Sequence, residues 1–211
     1  LDILKDCDLR VEWSREKLVE LRTVIKEAGE KTLEQADLSD PSTRPDAIFD
    51  FLWALPRVQI RRLASECIFH MRTALEYIPA NLARVAGADN SYTKFPICIS
   101  RVNFDLWVRK HGRTFGSEHV ALFKKYQPFL RDERDSIDLC TLNDLSNADK
   151  HRELIQMRGV GGTFSYSPCE PRNVNPAIQV LFYNGFPLVP TLENLCDQVA
   201  EIVRAFRASK E

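Results

Sequence analysis

The densest run of side chains able to do chemistry is Leu145-Ser146-Asn147-Ala148-Asp149-Lys150-His151-Arg152. Its surroundings predict a helix over about Asp135 to Met157. On such a helix Ile137, Thr141, Leu145, Ala148 and Ile155 share an apolar face, and Asp144, Asn147 and His151 stack in a row beside it at i, i+3 and i+7. Arg152 points close to the apolar face, with Asp149 three residues before it and Lys150 between them. An Asp, Asn and His row suits proton transfer or hydrogen-bonded recognition, because histidine is the side chain that titrates nearest neutral pH. The competing reading is a buried hydrogen-bond network that fixes helix packing, with Arg152 paired to a carboxylate.

A second pair of charges is Arg72 and Glu76, four residues apart in Met71-Arg72-Thr73-Ala74-Leu75-Glu76. They sit opposite a stripe of Cys67, Ala74 and Ile78, alongside Arg61 and Ser65. On an exposed face the pair contributes well under ~1 kcal/mol. Under a second layer of helices it becomes a buried ion pair whose loss costs far more. Other candidates carry less. His70, His111 and His119 lack companions at metal-ligand spacing, and the six cysteines form no C-x-x-C pair, so neither a metal nor a cofactor is expected. Cys7, Cys67 and Cys140 fall on or beside apolar helix stripes, where a thiol behaves as a small hydrophobe. Gly159-Val160-Gly161-Gly162 follows a helix instead of opening one, which is the wrong side for a phosphate cradle. Arg109-Lys110-His111-Gly112-Arg113 is a local basic cluster at the end of a short predicted helix.

Helices must position these residues. Leu4, Cys7, Val11, Leu18, Leu21, Ile25 and Ala28 repeat at helical period over about Asp2 to Ala28, with Gly29 as terminator. Pro56 opens a second helix with core residues Leu63, Cys67, Met71, Ala74, Ile78 and Leu82, and Pro79 predicts a kink or an early end. Shorter helices are predicted at about Arg101 to Lys110 and Ser117 to Lys125. A last one runs from Thr191 to about Ala208, burying Leu192, Leu195, Val199, Ile202, Val203 and Phe206. Strands are predicted at Ala47 to Trp53, pairing with Thr32 to Gln35 as a hairpin, and at Thr163 to Ser167 and Ile178 to Tyr183. The expected architecture is mainly α with a minor β part (α+β): one helical-bundle domain over residues 1–211, carrying a small antiparallel sheet or hairpins near 31–55 and 160–189.

The 211 residues and 44% hydrophobic content support a packed core without staples, and the net charge of −1 argues against a broad electrostatic grip on nucleic acid. No apolar run reaches the ~20 residues needed to span a bilayer, and no signal-peptide pattern is present, so a cytoplasmic protein with no membrane partner is expected. The first helical stripe could zip a homodimer or pack into its own domain.

Met71 to Ile78 (MRTALEYI), Thr93 to Ile97 (TKFPI), Tyr126 to Phe129 (YQPF) and Leu145 to Leu154 (LSNADKHREL) occur in this order. Together they resemble an uncharacterised bacterial family with an L-R-x-A-L-D helix, an F-P-I segment, a Q-P-Y segment and a D-K-H-R helix. Glu76 stands where that pattern has Asp. A more distant resemblance is to HEPN-type helical bundles, many of which are ribonucleases using an arginine four to six residues before a histidine. The positions four to seven before His151 hold Asn147, Ser146, Leu145 and Asp144, with no arginine. The resemblance therefore implies an RNA-acting protein with His151 as acid/base, Asn147 positioning phosphate, and Arg72 with Arg152 supplying charge. Glu76, Asp144, Asp149 and Lys150 would complete the ligand-binding set. The alternatives are a non-enzymatic interaction module and a binder of a small anionic ligand.

Overall fold

A computed structural model describes residues 4–35, 56–88, 94–130, 139–150, 157–160, 179–182 and 187–209; at 32–35, 57, 148–150 and in both strands the description is of backbone alone. Within these residues the chain is mainly α. Helices α1 (Lys5–Gln35), α2 (Arg57–Val85), α3 (Arg101–Lys125), α4 (Leu139–Lys150) and α5 (Leu188–Ala208) carry the fold. Strands β1 (Met157–Val160) and β2 (Gln179–Phe182) form one antiparallel ladder, with Met157 opposite Phe182 and Val160 opposite Gln179.

Helix α2 is the central element and packs against α1, α3, α4 and α5. Its stripe of Leu63, Cys67, Met71, Ala74, Ile78 and Leu82 is buried, as the periodicity predicts. Ile68, Leu75 and Ala83 are buried too, so α2 is covered over a sector far wider than a surface helix needs. The predicted stripe of α1 is turned inward, with Leu4, Cys7, Val11, Leu18, Leu21 and Ala28 all buried. The α1 stripe therefore packs within its own chain. Ser14 fills the gap in it and is fully buried, bonded to the Cys67 carbonyl at 3.4 Å and lying 3.1 Å from the Cys67 sulfur. Burial pushes the Cys67 thiol up to about 12, which keeps it neutral and unreactive.

Several expected boundaries move. Helix α1 does not stop at Gly29 but runs on to Gln35, so Thr32 to Gln35 are helical and not a hairpin strand. One interior glycine costs only about 1 kcal/mol; buried Ala28 and the Lys26–Glu30 pair across that turn offset it. Helix α2 does not end at Pro79. The proline removes one hydrogen bond, while Leu82 and Ala83 beyond it are buried. Its true terminator is Gly87 at φ 69°. The Gly87 amide donates to the Arg84 carbonyl and the Ala88 amide to the Ala83 carbonyl, a Schellman closure.

The two short helices expected between Arg101 and Lys125 are one run broken at Gly116, where φ 72° and ψ 167° lie in a region only glycine occupies readily. Helix α4 does not reach Met157, which pairs in β1, and Gly159 lies in that strand instead of capping a helix. Its buried row is Leu139, Leu142 and Ser146, while Thr141 and Leu145 of the predicted face are only half-buried. Ile137, Ile155 and the segments Ala47 to Trp53 and Thr163 to Ser167 lie outside the described residues.

Candidate functional site

Arg72 projects about 140° around α2 from Cys67, counting ~100° per residue. Cys67 faces α1 through Ser14, so Arg72 belongs to the opposite side of the helix, with Ile68 and Leu75. That side is covered, and Arg72 is only 8% exposed. Its Nε lies 3.3 Å from Glu76 Oε1, and its Nη1 is buried with no hydrogen-bond partner among the described residues. Burial pulls the guanidinium's pKa down and Glu76 pushes it back up. This decides between the two readings of the pair, since it is not a solvated surface bridge. A guanidinium carries five N–H donors, and one half-buried carboxylate leaves part of that capacity unfilled.

Arg61 lies on the same side three turns earlier, and its Nε is also buried without a partner among the described residues. Two cations on one covered side of α2, each with an unused N–H, form the strongest unmet demand for an anion in the described part of the chain.

Helix α4 packs on α2, so the two charged motifs occupy neighbouring elements. Asp144 and Asn147 lie on the exposed side of α4, away from its buried Leu142 and Ser146. Asp149 and Lys150 complete the helix as backbone, while their side chains, His151 and Arg152 lie outside the described residues. The structure thus joins Arg72 to Glu76 and places Asn147 and Asp144 on the adjoining helix. No group of three or more His, Cys, Asp or Glu side chains able to hold a metal occurs among the described residues. Among them no helix is long and apolar enough to cross a membrane.

The F-P-I and Q-P motifs acquire a physical role. Gln127 is buried, and its amide donates to the carbonyls of Pro96 and Phe123, each at 2.8 Å, while its Oε1 accepts from the Cys98 amide at 2.9 Å. One side chain ties the extended segment to the end of α3. Phe95 packs edge-on against Phe123 and Phe206 behind it. These motifs serve packing.

One polar cluster was not foreseen from sequence. Arg10 on α1 reaches His70 Nδ1 at 3.2 Å and donates to the Tyr77 hydroxyl at 3.3 Å. Its guanidinium also lies 4.9 Å from the centre of the Trp13 ring and 5.6 Å from that of Tyr77. Burial and the Arg10 charge lower the His70 pKa. His70 and Tyr77 are seven apart and share a row on α2, but only the α1–α2 register shows that Arg10 meets them. Between α1 and α5 an open groove of about 300 Å³ is lined by Leu18 and Cys196. Ion pairs Arg15–Asp197 and Arg22–Glu193 cross it, so its rim charges are already matched.

No protein-family model, curated protein or solved structure matches this chain.

Proposed function

We propose that this chain is a cytoplasmic bacterial protein of HEPN-like type, a helical bundle carrying a small antiparallel sheet, that acts on RNA through a phosphate grip at Arg72. The observation supporting this is the buried guanidinium of Arg72, held on one side by Glu76 and with no partner for its Nη1 among the described residues, on the helix that packs against α4. A phosphate oxygen satisfies such a donor with a charge-assisted hydrogen bond.

In this reading Arg72 and Arg152 stabilise the charge that develops on phosphorus. Asn147 positions the phosphate, and His151 moves the proton. Glu76 orients Arg72; Asp144, Asp149 and Lys150 border the site. The test is cleavage and binding of a mixed RNA panel by the purified protein, with and without a divalent metal, beside His151→Ala and Arg72→Lys. Cleavage abolished by His151→Ala, with the fold intact by circular dichroism, is the expected result. Neither cleavage nor binding by the wild-type chain overturns the reading.

A second reading is favoured by the depth of Arg72. A guanidinium 8% exposed is reached more easily by a small anion than by a polymer backbone, and the net charge of −1 offers no wide basic track. Here Arg72 binds a small phosphate- or carboxylate-bearing ligand without catalysis. Thermal stabilisation by a nucleotide or inorganic phosphate, lost in Arg72→Lys, with no RNA turnover, selects this reading over the first.

A further inference from the structure

The basic cluster of α3 belongs to neither motif above, and it continues an exposed apolar row. Ile99, Val102 and Leu106 are 75%, 68% and 55% exposed. Arg109 and Arg113 follow on the same row and are exposed too. The steps of three and four residues keep Val102, Leu106, Arg109 and Arg113 on one side of the helix, and Ile99 precedes its N-cap Ser100. The opposite side of this stretch carries Phe104, His111 and Phe115, all buried in the core. The break at Gly116 lies beyond the row, so Val102 to Arg113 is an unbroken helical surface.

The outer face of α1 carries the complement. Val19 is 59% exposed, and Glu16 and Glu12 are exposed on the same row. Leu106, Arg109 and Arg113 step forward by three and four, while Val19, Glu16 and Glu12 step back by three and four. Antiparallel helices therefore superimpose Leu106 on Val19, Arg109 on Glu16 and Arg113 on Glu12. None of these four charges has an ion pair among the described residues, although Lys17, Arg22, Lys26 and Arg62 elsewhere on α1 and α2 all do. Two exposed faces of one chain, matched in spacing and opposite in charge, are satisfied by a second copy.

We infer that the outer face of α3 docks antiparallel on the outer face of α1 of a second copy of this chain. Leu106 then covers Val19, and Arg109 and Arg113 pair with Glu16 and Glu12 across the contact. One such helix pair buries less than the area of a standard stable interface, so the association is reversible. Because its polar part is exposed ion pairing, it weakens as salt rises.

Sedimentation velocity over a concentration series, at low and high salt, tests this. The expected result is concentration-dependent association at low salt that high salt disperses. Arg109→Glu/Arg113→Glu and Glu12→Arg/Glu16→Arg are each expected to be monomeric. Mixed together they associate again, since every contact between the two variants pairs opposite charges. All four positions are exposed, and circular dichroism melts confirm that both variants keep the fold. A wild-type chain that stays monomeric at low salt up to its solubility limit overturns the inference. So does association that neither charge reversal changes.

Discussion

At the scale of single residues, the pair Arg72–Glu76 separates a site from a scaffold. Breaking a buried ion pair by removing one partner is costly because the other charge is left uncompensated. Arg72 is the more deeply buried member, its side chain 10% exposed against 27% for Glu76. Glu76→Gln should therefore destabilise more than Arg72→Met, by about 2 kcal/mol in urea unfolding, below the full range for breaking a wholly buried pair. The double variant Arg72→Met/Glu76→Leu should fall well short of the sum, since it leaves no stranded charge. A site built for an anion adds a further signature: phosphate should stabilise the wild type and not the double variant. His70 gives a pH dependence. An arginine can only donate, so His70 Nδ1 must accept from Arg10, which requires a neutral ring. The folded pKa is lowered below the ordinary 6.5, so below that value the unfolded chain binds the proton first. Stability is present in full above about 6.5 and is lost as pH falls toward the lowered folded value. His111, also lowered, chiefly by burial, acts in the same direction. Thermal melts from neutral to mildly acidic pH should show a falling Tm, and His70→Gln should flatten part of that slope.

At the scale of elements, the sequence carries helices more plainly than their ends. The stripes of α1, α2 and α5 are legible because their apolar residues recur at helical period and each stripe meets a partner. The end expected at Gly29 and the early end allowed at Pro79 do not occur, because a local breaker of about 1–3 kcal/mol is offset by burial further along the same helix. The burial of Arg72 is a different kind of information. It depends on α2 being covered on two sides, which no periodicity within α2 states. The same holds for Gln127, which reads as a loop residue yet closes three hydrogen bonds, two of them buried, between α3 and the segment Phe95 to Cys98. Replacing it by leucine strands two carbonyls and one amide in the interior. At about 1 kcal/mol net for each bond, Gln127→Leu should cost about 3 kcal/mol. Gln127→Glu keeps the acceptor for the Cys98 amide but aims a carboxylate at two carbonyls, so it should recover stability as pH falls. Urea unfolding at two pH values distinguishes the two variants.

At the scale of the whole molecule, two sets of contacts must act as one for either proposed site to be held in place. One is the α1–α2–α5 junction around Ser14, Cys67 and Cys196. The other is the aromatic layer of α3, where Trp107 stacks on Phe115 and both meet Phe123. Phe206 on α5 joins them. It is fully buried, 4.7 Å from Phe123 and 6.3 Å from Phe95 between ring centres, with the His119 ring stacked parallel at 6.3 Å. The sequence marks Phe206 only as the last apolar position of its stripe, and its partners come from two distant segments. A large-to-small change there removes the contacts that couple the layers as well as the buried area, at a cost of about 3–5 kcal/mol. Phe206→Ala should therefore do more than lower the urea midpoint. Tryptophan fluorescence in a Trp13→Phe/Trp53→Phe background, which leaves Trp107 as the one reporter of the α3 layer, should move at lower urea than far-UV circular dichroism, which is dominated by α1, α2 and α5. Coincident curves for the wild type and separated curves for the variant are expected. Curves that stay coincident in Phe206→Ala would show that contacts other than this ring couple the two layers.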